Sequence, residues 1–343
     1  MRSQVWRWVR WLAPLAVLVL LALVFRDELS FIGEAARALA DAPAAPVAAA
    51  IACALLSIVC MAAVMQLLIN VERPVAHLPQ ASAITLASNA WSTSIPGGPA
   101  VSAWLTFRVQ RSWGASAGVC GWFFVVSGAL STVWLVLIGI AAVIFLGASL
   151  SLAALGVSLA VAVGTTLALY WATRNPELLK KWVRYVPERV RGKLMSVIDE
   201  VSRIRMSAGR FALTALLTLL NRLFDLAVLY FSVWATSGEV PLSNPGLNQT
   251  TLAGVTLAFV MTKLAGAAQV TPGGVGTVEA IAAGTLVAGG LPLVDATAAT
   301  LIYRGVSFAL ITAIGWVVYL ATYAGRGFMI GAPQPDAAPR VSS

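Results

Sequence analysis

The chain has 343 residues, 59% of them apolar and 11% charged, with 23 basic residues against 14 acidic ones and a formal net charge of +9. A soluble domain carries about 25% charge, and several apolar stretches here exceed the roughly 20 residues that cross a bilayer, so soluble domains are excluded and a polytopic membrane protein is expected. One histidine (His77), three cysteines and no Walker A sequence exclude a histidine metal site or catalytic dyad, a disulfide framework and ATP-driven transport by this chain.

The first apolar run, Val5 to Phe25, follows Arg2 and holds Arg7 and Arg10 near its start. It is expected to stay in place as a span, because the nearest small-residue cleavage site, Ala38-Leu39-Ala40, lies too far beyond its apolar core. Further spans are predicted over about 44–69, 116–146, 150–172, 211–236 and 294–324, giving about six spanning helices in an all-α fold. Cys53, Cys60 and Cys120 fall within apolar runs and read as small buried hydrophobes.

Two other apolar stretches, 78–108 and 251–290, are broken by Pro-Gly-Gly. The arms of the first, about 79–93 and 100–108, are too short for a hydrocarbon core of about 30 Å. Each stretch is therefore predicted to enter the membrane and return as a re-entrant hairpin. Non-helical backbone at that depth needs protein or a water-filled cavity around it. Ile95-Pro96-Gly97-Gly98-Pro99-Ala100 echoes Thr271-Pro272-Gly273-Gly274-Val275-Gly276, and Val126-Ser127-Gly128-Ala129-Leu130 echoes Val306-Ser307-Phe308-Ala309-Leu310. The halves, about 44–173 and 211–325, thus read as an inverted repeat, which places a transporter's substrate site near the midplane.

Between the halves, 174–210 is basic, with Val190, Leu194, Val197, Val201 and Ile204 at helical spacing. It reads either as a helix on anionic inner-leaflet lipid or as a solvated cytoplasmic linker. Most of the basic residues fall on the side of the N-terminus, which the positive-inside rule assigns to the cytoplasm together with the C-terminus. Residues 1–330 form one integral membrane domain and 331–343 a disordered tail. No nucleic-acid partner is expected, because no folded reader accompanies the basic segment.

Ionisable groups within the bilayer cost several kcal/mol unless paired or hydrated, so they are the first functional candidates. Arg222 and Asp225 stand three apart on one helix, where an intrahelical pair is expected. Lys263 either snorkels to an interface or faces a cavity. Glu279, in the first turn after Gly276, either complements the helix N-terminus and its free amides or couples protons. Arg304 has no acid within one turn and needs a carboxylate from another helix, Glu279 or Asp225, or an anionic headgroup held by its bidentate fork. The backbone around Thr271, Pro272, Gly273, Gly274 and Gly276 is a candidate anion site beside a helix N-terminus. Ser88, Asn89, Ser92, Thr93 and Ser94, ahead of Pro96-Gly97-Gly98, are expected to give the first hairpin a polar wall.

Pro272-Gly273-Gly274-Val275-Gly276-Thr277-Val278-Glu279, followed by Tyr303-Arg304, resembles the membrane domain of the lysylphosphatidylglycerol synthase/flippase family, here as a free-standing member without the synthase domain. The resemblance covers about residues 10–325. It departs at Phe124, which aligns with Arg304 where relatives often carry charge. It implies movement of a charged lipid between leaflets of the bacterial inner membrane, with Pro272, Gly273, Gly274, Gly276, Glu279 and Arg304 carried over from the motif. The substrate expected is an anionic phospholipid or a polyprenyl-phosphate-linked glycolipid, with no cofactor, no catalytic residues, and a homodimer or a cell-envelope enzyme as partner. Two other functions stay open from the residues. One is a glycosyltransferase using a polyprenyl-phosphate sugar, with Asp27-Glu28 supplying a base. The other is a membrane assembly partner.

Overall fold

The computed structural model describes residues 42–95, 97–146, 206–242, 246–268 and 272–324, together with Arg37 and Ala40. The expected spans 5–25 and 150–172, nearly all of the basic segment 174–210, Asp27-Glu28, Pro96, Thr271 and the tail 331–343 lie outside the described residues. Among those described, nine α-helices and no strand occur. The first half contains α1 (Ala44–Ile69), α2 (Leu78–Ser94), α3 (Gly98–Ser112) and α4 (Ala117–Leu146). The second contains α5 (Ala208–Ser237), α6 (Leu252–Ala268), a 3-10 turn at Pro272–Gly274, α7 (Thr277–Ala288), α8 (Leu293–Arg304), a π turn (Gly305–Leu310) and α9 (Ile311–Thr322).

Four helical stretches are long and apolar enough to cross a membrane: Ala44–Ile69, Ala117–Ile144, Ala208–Ser237 and the continuous run Leu293–Thr322. This is a multi-pass membrane protein. Of about six spans expected, four are found among the described residues, and the other two, 5–25 and 150–172, lie outside them. Their outward faces keep large apolar side chains exposed, such as Leu55, Val125, Leu216 and Val317. Only a lipid surround makes such a belt favourable.

The short helices form two pairs. α2 and α3, of 17 and 15 residues, reach about 26 and 23 Å; α6 and α7, of 17 and 12 residues, reach about 26 and 18 Å. In the first pair the loops at entry and exit touch, because Arg73 Nη2 donates to the Gly114 carbonyl at 2.5 Å. In the second, Thr250 and Gln249 ahead of α6 lie against Gly289 and Gly290 behind α7. In each pair the loops before and after the two helices thus lie together. The buried side chains fall into two groups that divide α1. Ala62 to Ile69 join α2, α3, the start of α4 and the end of α9 at one end of the bundle. Ala50 and Ala54 join the later part of α5, α6, Leu286 of α7 and α8 at the other.

Close approach holds the halves together. Gly315 brings α9 onto α2, where a Cβ would overlap the Leu86 carbonyl. The hydroxyls of Thr93 and Thr312 share a hydrogen bond at 2.9 Å, and Trp316 Nε1 donates to Ser94 Oγ at 2.9 Å. Trp91, Trp316 and Tyr319 stack around that bond with ring centroids 5.2–5.6 Å apart. Aromatic pairs at such separations add about 0.5–1.5 kcal/mol each beyond burial. On the opposite side, Trp134 Nε1 of α4 donates to the Ala215 carbonyl of α5 at 2.8 Å.

Candidate functional site

Helical spacing directs polar side chains inward. On α2, Ala81, Ile84, Ala87 and Trp91 are buried, while Thr85, Asn89 and Ser92 stand at i, i+4 and i+7 and share another face. On α1, Ala54, Ser57 and Met61 make a similar stripe. These faces meet Asn221, Arg222 and Asp225 of α5, Thr262 and Lys263 of α6, and Arg304 and Ser307 at the end of α8. Between them lies a cavity of about 340 Å³. A volume of that order suits a headgroup-sized ligand.

The charged groups are arranged by tertiary approach. Lys263 Nζ lies 2.5 Å from Asp225 Oδ2, joining α6 to α5, and sits 5.4 and 5.9 Å from the ring centres of Phe259 and Tyr303. The intrahelical Arg222–Asp225 pair is thus not formed. Asp225 turns to Lys263 because the two helices cross there, and a three-residue spacing on one helix does not compete with that contact. Arg222 makes no hydrogen bond or ion pair among the described residues, and its Nε is buried without a partner.

Arg304 is 7% exposed. Its Nε donates to Glu279 Oε1 at 2.6 Å, its Nη2 donates to the Gly273 carbonyl at 2.9 Å, and its guanidinium stands 4.1 Å from the Phe308 ring centre. Of the partners open to it in the sequence, Arg304 takes the Glu279 carboxylate. Glu279 in turn leaves the free amides of its own helix start: its carboxylate reaches to Arg304, and its Oε2 is buried without a hydrogen bond. Breaking such a buried pair from one side costs about 3–5 kcal/mol.

The π turn follows Arg304 directly and brings Phe308 against Gly273, whose φ of +61° is left-handed. A Cβ at Gly273 would overlap the Phe308 ring and approach the Thr93 carbonyl. The second Pro-Gly-Gly turn therefore abuts the end of α2. π turns recur at functional sites because the extra residue redirects side chains.

Eight predicted residues line the cavity: Arg222, Asp225, Lys263, Arg304, Asn89, Ser92, Thr93 and Gly273. Glu279 reaches it only through Arg304. Pro272, Gly274 and Gly276 build the turn behind Gly273, and Gly97 and Gly98 form the start of α3, away from the lining. Sequence reasoning missed Asn221, whose Nδ2 donates to the Ser57 carbonyl and Oγ at 2.9 and 2.8 Å. An amide next to an arginine within an apolar helix is the signal that marks it. As lining residues it also missed Thr85 and Ser307, which look like ordinary small residues of membrane helices.

A second, more apolar cavity of about 270 Å³ adjoins the first through Met61 and Thr85, and holds Met65, Phe123 and Phe124 in its wall. Phe124 thus lies in the wall of an apolar chamber that adjoins the charged one.

A bundle of membrane-crossing helices enclosing ion pairs and a hydrated-sized polar chamber defines a membrane protein built around a polar site in its interior. The chain belongs to the family described as the lysylphosphatidylglycerol synthase transmembrane region, whose model matches residues 10–315. That family links the chain to membrane lipids. No individual curated protein matches it.

Proposed function

We propose that this protein is a lipid flippase, or scramblase, of the bacterial inner membrane. It passes the charged headgroup of an anionic phospholipid or polyprenyl-phosphate-linked lipid through the central cavity and carries out no covalent step. The observation that carries this reading is the charged cavity of about 340 Å³ set within an apolar, membrane-crossing bundle. Carrying a headgroup charge through hydrocarbon costs several kcal/mol, and fixed polar groups at that depth replace its water. The adjoining apolar chamber suits the first carbons of an acyl or prenyl chain.

Alternating access follows from an inverted repeat of two re-entrant hairpins. Each short-helix pair enters and leaves on one side, and the two pairs belong to opposite ends of the bundle, which supports that topology. The repeat has further support in matched local geometry. Gly97 and Gly273 are both left-handed, at φ +68° and +61°. Ser127 Oγ donates to the Phe123 carbonyl at 2.6 Å, and its counterpart Ser307 Oγ donates to the Tyr303 carbonyl at 2.7 Å. In transporters of this construction the site stays fixed while one repeat rocks against the other.

The test is reconstitution of the purified chain into vesicles containing a headgroup-labelled phosphatidylglycerol, followed by quenching with a membrane-impermeant reductant. Quenching beyond the outer-leaflet half, absent from protein-free vesicles, is expected. Quenching that stops at the outer leaflet for every anionic lipid tried overturns the proposal.

A further inference from the structure

Among the described residues, the charges facing the cavity do not balance. Arg222, Asp225, Lys263 and Arg304 line it. Lys263 is neutralised by Asp225, and Arg304 by Glu279 from behind the wall. Arg222 is left over. Its closest acid along the helix is already held by Lys263, and it makes no hydrogen bond or ion pair among the described residues. A guanidinium in a partly desolvated chamber is costly unless an anion completes it.

We propose that Arg222, rather than Arg304, is the anion-binding residue of this protein. Its ligand is a lipid phosphate whose single negative charge is not balanced by a cation in the same headgroup. The proposal rests on the lipid-transport reading and specifies its substrate class. The planar fork of Arg222 matches two phosphate oxygens. A headgroup ammonium would find an occupied chamber: Asp225, the carboxylate among the described lining residues, is paired with Lys263, and both Lys263 and Arg222 would repel the newcomer. Hydroxyls fare better. Asn89 Oδ1 is buried without a partner among the described residues and is free to accept a hydrogen bond from the ligand, and Thr85 and Ser92 stand on the same helical face. The chamber therefore favours a phosphate followed by a hydroxylated headgroup, such as glycerol or a sugar, over zwitterionic and aminoacylated ones.

The experiment places the full chain in nanodiscs of equimolar phosphatidylglycerol, phosphatidylcholine and lysylphosphatidylglycerol and identifies the retained lipid by native mass spectrometry. Wild type is expected to retain phosphatidylglycerol about tenfold over each of the other two, the size of one charge-assisted contact. Arg222→Gln is expected to remove that preference, and Arg222→Lys to keep part of it through the charge alone. Equal retention of lysylphosphatidylglycerol by wild type, or an unchanged preference in a normally eluting Arg222→Gln, overturns the proposal. So does inorganic phosphate that displaces the lipid at millimolar concentration, since the ligand is then free phosphate. If Arg222→Gln does not fold, the wild-type ranking of the three lipids decides. A selective site in a protein that fails the vesicle assay overturns transport and leaves the binding proposal standing.

Discussion

Two arginines in one cavity do different work, and stability separates them. Arg304 joins Glu279 and the Gly273 carbonyl, so Arg304→Gln strips a buried carboxylate of its counter-charge and should cost about 3–5 kcal/mol. Adding Glu279→Gln should restore a large part of that loss, which thermal unfolding of the two single variants and the double variant in nanodiscs will measure as a coupling energy. A strictly additive result refutes the pairing. Arg222→Gln removes no partner among the described residues, so its unfolding midpoint should equal or exceed that of wild type. A marked drop would mean that Arg222 is held by a contact within the protein. The intramembrane charges themselves were legible in the sequence, because ionisable residues stand out in an apolar run. Their partners were not. A spacing of three residues pointed Asp225 at Arg222, whereas the crossing of α5 and α6 gives it to Lys263. That crossing is set by packing along both helices, and no local pattern reports it.

Among the elements, the long helices were the most readable. A membrane demands unbroken apolar runs, so expected spans of 44–69, 116–146, 211–236 and 294–324 fall within three residues of Ala44–Ile69, Ala117–Leu146, Ala208–Ser237 and Leu293–Thr322. The two Pro-Gly-Gly breaks were equally plain. Unreadable was the π turn at Gly305–Leu310, since nothing in Gly-Val-Ser-Phe-Ala-Leu forbids an ordinary helix. The seam between α2 and α9 was hidden for the same reason. Its key is Gly315, one small residue in an apolar helix. Gly315→Leu should force α9 off Leu86 and lower the unfolding midpoint, by several kcal/mol if α9 cannot shift. An unfolding midpoint equal to wild type would show that the seam is loose. Conversely, Thr93→Cys with Thr312→Cys, in a background freed of Cys53, Cys60 and Cys120, should form a disulfide under mild oxidation, detected by peptide mass spectrometry.

For the whole molecule, the proposed topology of two opposed hairpins makes a prediction about sidedness. Ser112 closes α3 beside Arg111, at the end where the loops of the first pair meet, and Leu247 is almost fully exposed in the loop ahead of α6. In the cysteine-free background, an impermeant maleimide should label Leu247→Cys in intact cells and Ser112→Cys only in inverted vesicles. Labelling of both from one side would dismantle the inverted arrangement and the alternating-access reading with it. The same interlocking of halves has a consequence for how the protein is made. Thr93 and Thr312 are 219 residues apart in the chain, and Ser94 and Trp316 are 222 apart. At synthesis rates of 5–20 residues per second, roughly 10–40 s pass between the emergence of α2 and that of the helix completing its hydrogen bonds. Throughout that interval its serine, threonine and asparagine face must be sheltered by water, by α1 and α3, or by the insertion machinery, and a chain that stalls before α9 should be surrendered to membrane proteases.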